Sequence, residues 1–198
     1  MMLWYVARAA GIVAVIALTA ATALGSVSSG RAPAGDAQTV DRRYLVQMAH
    51  RSAALIGLFA LATHVVLLVS DRYVDVSVGG VLVPFTAGYR PLALAAGTLG
   101  AYGILAAAVS GAVRGRLASS AASARVWRPV HVLAYLGWVL SMAHGVFAGS
   151  DTGAPWTSAI YAAIGVVVAG ALVVRLSARI TSSRTPLSLA RALPGRKS

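Results

Sequence analysis

Long apolar segments dominate this chain, and short polar loops separate them. Five of these segments are close to the roughly 20 residues that an α-helix needs to cross the hydrocarbon core of a bilayer. They cover residues 5–25, 45–69, 92–113, 130–148 and 156–176. The loops between them are rich in Gly, Pro, Ser, Asp and Arg, and no internal repeat of fixed period is apparent. The pattern therefore predicts an all-α membrane protein, in which residues 1–176 form a bundle of five transmembrane helices.

Basic residues are distributed unevenly among these loops. One side of the predicted bundle carries only Arg8, Arg72 and Arg90, and the other side carries the remaining 14 of the 17 basic residues. Loops rich in Lys and Arg stay in the cytoplasm when a membrane protein is inserted. The sequence thus predicts a multi-pass protein of the cytoplasmic membrane, with its N-terminus outside and its C-terminus in the cytoplasm.

The first span, the outer loop and the C-terminal tail each have two interpretations. Ala21-Thr22-Ala23 is typical of a signal-peptide cleavage site, but cleavage would place the arginines of 114–128 outside, so a retained span is preferred. In the loop 71–90, the apolar run Val74–Val83 is expected to lie on the membrane surface or to cap the outer end of the bundle. The basic tail 177–198 is expected to be disordered near anionic lipid, with a docking site for a partner protein as the alternative.

The composition excludes several kinds of site. The 198 residues are 58% hydrophobic and 11% charged, and they include no cysteine and no glutamate. Disulfides, iron–sulfur clusters and thiolate-ligated haem are therefore excluded, and the acids do not indicate a paired-carboxylate active site. The net charge of +12 does not indicate a nucleic-acid partner, because the basic residues lie in loops between apolar spans, where they set the topology.

Four histidines lie inside the apolar segments, in two pairs of similar spacing. His50 and His64 are 14 residues apart in the second span, and His131 and His144 are 13 residues apart in the fourth. Ionisable residues in membrane spans are rare and usually functional. Because these two spans run in the same direction, His50 is expected to face His131 near the cytoplasmic side, and His64 to face His144 nearer the outside. Two such levels, about 20 Å apart by helical rise, can hold two haems one above the other.

Helical geometry fits the second span better than the fourth. Fourteen residues return to within roughly 40° of the starting face of a helix, whereas 13 residues leave a mismatch of roughly 140°. The fourth span is therefore expected to need overwinding, a kink or a strong tilt. Gly57 and Gly137 lie midway between the histidines and are expected to let a flat macrocycle approach the backbone. Trp138 also lies midway and is placed to sit between the two haems.

Histidine chemistry suits haem ligation, and the residues alone leave other roles open. A neutral imidazole binds iron through one nitrogen while its other N–H donates to a backbone carbonyl. Two axial histidines leave no open iron position and so favour electron transfer over oxygen binding. The alternatives are another metal, a proton relay and a structural hydrogen bond between helices. Zinc or copper ligands usually cluster at one depth, unlike these four.

Haem propionates are anionic and need cationic partners. Arg51 and Arg128 are placed for the inner haem, and Arg72 and Arg90 are placed for the outer one. The alternative for each of the four is an arginine that snorkels to the membrane interface.

The histidine spacing and two longer stretches resemble a known family. The spacing of 14 and 13 on two parallel spans resembles the transmembrane domain of ferric reductases and NADPH oxidases. The stretches VPFTAGYRPLALAAGTLG and VWRPVHVLAYLGWVLSMAHGVFAGSDT are more similar to actinobacterial ferric-reductase-like transmembrane proteins, and the resemblance covers about residues 45–176. It implies two b-type haems, the inner held by His50 and His131 and the outer by His64 and His144. It also implies electron flow from the cytoplasm to the exterior.

The chain departs from that family in one main respect. The larger reductases have six spans and a cytoplasmic domain that binds flavin and nicotinamide, whereas this chain has five predicted spans and no glycine-rich dinucleotide fingerprint. We therefore expect a cytochrome subunit that takes electrons from a separate cytoplasmic flavin reductase or from quinol and passes them to an extracytoplasmic acceptor. The alternatives are a redox-inactive membrane anchor or assembly subunit, a small histidine-relay transporter, and a cytochrome with a single haem.

Overall fold

A computed structural model describes residues 2–28, 37–72, 76–114 and 121–184 of the chain. These residues form five long helices and one short helix, and the five long ones are apolar enough to cross a membrane. The all-α membrane fold expected from the sequence is thereby confirmed. The helices are α1 (Met2–Ser28), α2 (Ala37–Ser70), α3 (Val78–Leu82), α4 (Pro91–Ala112), α5 (Ala121–Ala148) and α6 (Pro155–Arg184).

Several helices extend beyond the predicted spans, mainly towards the side with the basic loops. α2 begins at Ala37, and its length of about 51 Å exceeds the roughly 30 Å of a bilayer core. α6 continues to Arg184, so residues 177–184, which the sequence assigns to a disordered tail, are helical instead. Residues 185–198 lie outside the described part of the chain. Hydropathy marks only the part of a helix that lies in lipid, because a helix continues into water without an apolar signal.

The outer loop forms the short helix α3, which packs against α4. The Thr98 hydroxyl of α4 donates to the Val81 carbonyl at 2.8 Å, and the Tyr102 hydroxyl donates to the Leu82 carbonyl. The described part of the run Val74–Val83 therefore covers the outer turns of α4, as the capping interpretation expects. Residues 74 and 75 lie outside the described residues.

Hydroxyl side chains inside the helices bond to the backbone of their own helix. Each donates to the carbonyl four residues earlier, which satisfies a polar group that lipid cannot hydrate. The pairs are Thr19 with Val15, Thr22 with Leu18, Ser26 with Thr22, Thr63 with Phe59, Ser70 with Val66 and Ser141 with Gly137. These polar residues are therefore compatible with membrane spans.

The bundle is built from two helical hairpins. α1 packs along α2, and α4 packs along α5, while α1 also contacts α5 and α6. By contrast, α2 and α5 make at most marginal backbone contact within the described residues. Two side-chain bonds join the hairpins across the α1–α5 contact. Trp138 Nε1 donates to Thr19 Oγ1 at 2.9 Å, and the hydroxyls of Tyr135 and Ser26 lie 2.7 Å apart.

Gly137 makes the closest contact in the hairpin of α4 and α5. A Cβ atom added there would lie 2.8 Å from the Gly100 carbonyl oxygen and 2.9 Å from the Ile104 backbone nitrogen. Backbone atoms yield only if a helix moves, so we expect Gly137→Ala to lower the free energy of unfolding by about 1–3 kcal/mol. Thermal unfolding in detergent measures this as a lower midpoint.

Gly170→Ala is the matched control for this prediction. No neighbouring atom lies within 4 Å of the Cβ position at Gly170, so alanine there is expected to be neutral or stabilising in a helix. Equal midpoints for the two variants would contradict the close approach of α4 and α5 at Gly137.

Candidate functional site

The four histidines form two facing pairs between α2 and α5. His50 faces His131 with ring centroids 6.4 Å apart and an angle of 65° between the ring planes. His64 faces His144 with the same centroid separation of 6.4 Å and an angle of 78°. The structure therefore brings together the same two pairs that the direction of the spans predicts.

Each imidazole is held by a backbone carbonyl from the other helix of its hairpin. The Nδ1-to-oxygen distances are 2.7 Å for His50 with Ala21, 2.7 Å for His64 with Ala7, 3.0 Å for His131 with Ala107 and 2.9 Å for His144 with Ala93. A carbonyl oxygen only accepts, so Nδ1 carries the proton and donates in all four bonds. The other ring nitrogen, Nε2, is thereby left with a lone pair that can bind a metal.

A glycine four residues after each of these carbonyls makes room for the imidazole. A Cβ atom added at the glycine would lie closer to the ring than the roughly 3.5–4.0 Å of an ordinary carbon contact. The nearest distances are 2.7 Å for Gly97 with His144, 2.9 Å for Gly11 with His64, 3.1 Å for Gly25 with His50 and 3.4 Å for Gly111 with His131. We call each alanine carbonyl with its following glycine a notch. The notches fix where each ring lies.

The same arrangement of notches occurs once in each hairpin. Ala7, Gly11, Ala21 and Gly25 of α1 recur 86 positions later as Ala93, Gly97, Ala107 and Gly111 of α4. α1 and α4 each present two notches, and α2 and α5 each insert two imidazoles into them. The chain therefore contains an internal structural repeat. The sequence pattern does not reveal it readily, because alanine and glycine are common and the histidines repeat at different offsets, 81 and 80 positions.

The pairs suit a metal that brings its own equatorial ligands. Two imidazole nitrogens that bind one metal at about 2.0 Å each place their ring centroids roughly 6.3 Å apart, close to the 6.4 Å measured at both levels. Across the described ranges, no group of three or more His, Cys, Asp or Glu residues lies close enough to share an ion. A structural zinc ion usually takes four protein ligands, whereas haem iron needs the protein only for its axial positions. These residues therefore fit haem better than a free metal ion.

Trp127 and Arg114 lie beside His131, although the sequence did not single them out. The Trp127 ring stacks on the His131 imidazole, with centroids 5.3 Å apart and planes inclined by 22°. The Arg114 guanidinium lies 4.8 Å from the centroid of the Trp127 ring. Trp127 Nε1 is buried and has no hydrogen-bond partner among the described residues. A buried donor next to a cation suits an anionic group, such as a haem propionate at the inner level.

The four arginines predicted to bind propionates have different surroundings. Arg51 and Arg72 are exposed. Arg90 donates from Nη1 to the Phe147 carbonyl at 2.6 Å, so it ties the start of α4 to the end of α5. The side chain of Arg128 lies outside the described residues. Propionate binding by these arginines stays a prediction, and for Arg90 the structure adds a partner within the protein.

The 13-residue spacing on α5 does not keep its two histidines from a common partner. α5 is one continuous helix, and His131 and His144 both reach carbonyls of α4, which lie 14 residues apart. Pro129, the proline inside α5, precedes both histidines and so does not alter their spacing. An ideal helix would turn these two positions roughly 140° apart, so side-chain torsions and local helix geometry make up the difference.

Gly57 and Gly137 serve helix packing within each hairpin. A Cβ atom added at Gly57 would lie 2.7 Å from the Leu18 side chain, and one added at Gly137 would meet the backbone of α4. The expectation that these glycines let a macrocycle approach is wrong, because each faces the partner helix of its own hairpin. Trp138 lies midway between His131 and His144 in sequence, and its indole links α5 to Thr19 of α1.

Comparisons with known protein families, with characterised proteins and with solved structures found no match for this chain. Its function is therefore argued from the two histidine pairs, the notches that hold them and the membrane-spanning bundle around them.

Proposed function

We propose that this chain is a b-type membrane cytochrome that carries two haems and relays electrons across the bilayer. The observation that supports this most strongly is the repetition of one geometry at two depths. Both histidine pairs have ring centroids 6.4 Å apart, and all four rings donate from Nδ1 to a carbonyl. His50 and His131 are the proposed ligands of the inner haem, and His64 and His144 those of the outer haem.

The protein's contribution is to position and tune these ligands. The carbonyl bonds fix each tautomer, aim Nε2 away from the notch and raise the basicity of the ring. The glycines keep the rings close to α1 and α4, so each imidazole has little freedom to turn. Haem supplies a one-electron iron couple, and with both axial positions taken by histidine it favours electron transfer over oxygen binding.

The proposed direction of electron flow follows from the charge of the loops. The inner pair lies towards the side with most of the basic residues, which the positive-inside rule assigns to the cytoplasm. We assign the donor to that side, as a separate flavin reductase or quinol, and the acceptor to the outside. The chain would act as the electron-transfer subunit of such a system.

A proton relay fits the region between the two levels less well. There the hairpins contact each other through Leu18 against Gly57 and through Ile104 against Gly137. These groups are apolar or backbone and carry no titratable side chain, whereas a relay needs a chain of donors and acceptors. Electron transfer needs no such chain, so the cytochrome is preferred to a transporter.

The test is a reduced-minus-oxidised absorption spectrum of the purified protein, with haem quantified per chain. Protein from cells well supplied with haem is expected to carry two b-type haems per chain with low-spin, bis-histidine spectra. A colourless protein from the same cells would sink the proposal and favour a membrane anchor or a transporter. One haem per chain that depends on a single histidine pair would restrict the proposal to that level.

A further inference from the structure

α6 carries an arginine inside its membrane span. Arg175 lies three residues before the end of the candidate span Pro155–Ala178, and it is half-buried rather than exposed. Its Nη1 donates to the Tyr135 hydroxyl of α5, and the guanidinium lies 5.7 Å from the centroid of the tyrosine ring. The Tyr135 hydroxyl in turn lies 2.7 Å from that of Ser26, which is only 1% exposed. One cationic head thus joins α6 to α5 and α1.

The charge of Arg175 is not balanced by an acid. Its hydrogen-bond partner is neutral, and no carboxylate forms an ion pair with it in the described part of the chain. A guanidinium in a membrane span is costly unless it is paired, and arginine cannot lose its proton there. A single hydrogen bond also leaves most of its five N–H donors available. The site therefore suits an anion with several acceptor oxygens.

An apolar groove lies between α1 and α6, two turns from Arg175. Its volume is about 330 Å³. The lining residues are Ile16, Thr19, Ala20, Ile160, Ala163, Ile164 and Val167. The distance along α6 from Arg175 back to Ile164 is about 16 Å by helical rise, close to half of the roughly 30 Å of a bilayer core. An acyl chain anchored at the level of Arg175 has the length to fill this groove.

We propose that Arg175, Tyr135 and the groove between α1 and α6 bind one anionic phospholipid of the cytoplasmic leaflet. The phosphate accepts hydrogen bonds from the guanidinium and the tyrosine hydroxyl, and one acyl chain lies in the groove. A phosphate provides the charge that Arg175 lacks and the oxygens that a planar guanidinium binds well. A quinone has a comparable tail but a neutral head, which would leave the arginine unbalanced. The proposal concerns the α1–α5–α6 side of the bundle and does not depend on haem.

The test compares lipids on the purified full-length chain in detergent. Phosphatidylglycerol is expected to raise the midpoint of thermal unfolding and to stay bound in native mass spectrometry, whereas phosphatidylcholine is not. Arg175→Gln is expected to weaken phosphatidylglycerol binding about fivefold or more, and Arg175→Lys, which keeps the charge, is expected to weaken it less. Arg42→Gln removes an exposed charge on the same side and is the matched control.

The groove is tested by a second pair of variants. Ala163→Phe is expected to fill the groove and to reduce lipid binding, whereas Ala162→Phe, on an exposed neighbour that does not line the groove, is not. Equal phosphatidylglycerol binding by the wild type and Arg175→Gln, or by the two phenylalanine variants, would overturn the proposal. So would retention of a quinone together with no preference between the two phospholipids. Haem content is recorded in parallel, because a colourless protein that binds phosphatidylglycerol separates this site from the proposed cytochrome function.

Discussion

Replacing His144 with alanine is expected to leave one haem per chain instead of two. His144 is one of two axial ligands that we assign to the outer level, where it faces His64 across 6.4 Å. One remaining imidazole binds haem far more weakly than two, and the opposite ligand position has no substitute acid, histidine or cysteine nearby in the described residues. The inner pair lies about 20 Å away by helical rise and is expected to keep its haem. Haem quantification and the reduced spectrum measure the loss.

The four single variants and two double variants test the pairing itself. His64→Ala is expected to remove the same haem as His144→Ala, and the double variant to cost nothing further, because two ligands of one site act as a unit. His50→Ala and His131→Ala are expected to remove the other haem. The two classes are distinguishable because the haems differ in surroundings and so in reduction potential. If His64→Ala and His144→Ala remove different haems, the assignment of ligands to levels is wrong.

Gly97→Ala is expected to cost the outer haem although it touches no proposed ligand covalently. The added Cβ would lie 2.7 Å from Nδ1 of His144 and 2.9 Å from its Cγ, so the ring has to leave the notch. Leaving it breaks the bond to the Ala93 carbonyl, which fixes the tautomer and the direction of Nε2. We expect at least tenfold weaker retention of the outer haem, in line with the loss of outer-shell partners in metal sites. Haem per chain after dilution into apo-myoglobin measures this.

Two further glycines provide controls for Gly97→Ala. Gly111 forms the equivalent notch for His131 with more space, 3.4 Å to the ring, so Gly111→Ala is expected to have a smaller effect, confined to the inner haem. Gly170 has no neighbouring atom within 4 Å, and Gly170→Ala is expected to keep both haems. Unchanged haem retention in a folded Gly97→Ala variant would show that the notch does not position the ring.

Much of the fold follows from hydropathy, because a bilayer restricts the chain more than water does. Every backbone polar group in lipid needs an internal partner, so an apolar segment of the right length forms a helix whatever packs beside it. All five predicted spans are helical for this reason. The ends of the helices were less predictable. α2 and α6 continue past the lipid, where hydropathy carries no information.

The histidine pairs followed from the sequence, whereas the groups that hold them did not. Parallel spans and matched spacing place His50 opposite His131 and His64 opposite His144 without any knowledge of packing. The anchors are backbone carbonyls of Ala7, Ala21, Ala93 and Ala107. A carbonyl is present at every residue, so no residue type marks it. The glycine four positions later is the available signal, together with its recurrence 14 positions further along α1 and α4.

The role of α1 is the largest correction to the picture from the sequence. As a sequence, residues 5–25 are an ordinary first span with a signal peptide as the alternative. In the structure, α1 supplies the carbonyls for both histidines of α2, receives Trp138 from α5 and borders the groove on α6. The proposed site therefore requires α1 to be retained. The polar cluster of Ser26, Tyr135 and Arg175 was also missed, since its members are up to 149 positions apart in the chain.

The sequence by itself determined the number of spans, the excess of basic residues on one side and the two depths at which histidines lie. Each depends on the transfer of individual residues between water and lipid, which is a property of composition along the chain. Only the tertiary structure decided which nitrogen each imidazole has available and which cation meets which polar group. It also decided that the two hairpins repeat one arrangement. These depend on how closely two backbones approach, and that distance is set by small residues on separate helices whose contacts no single segment encodes.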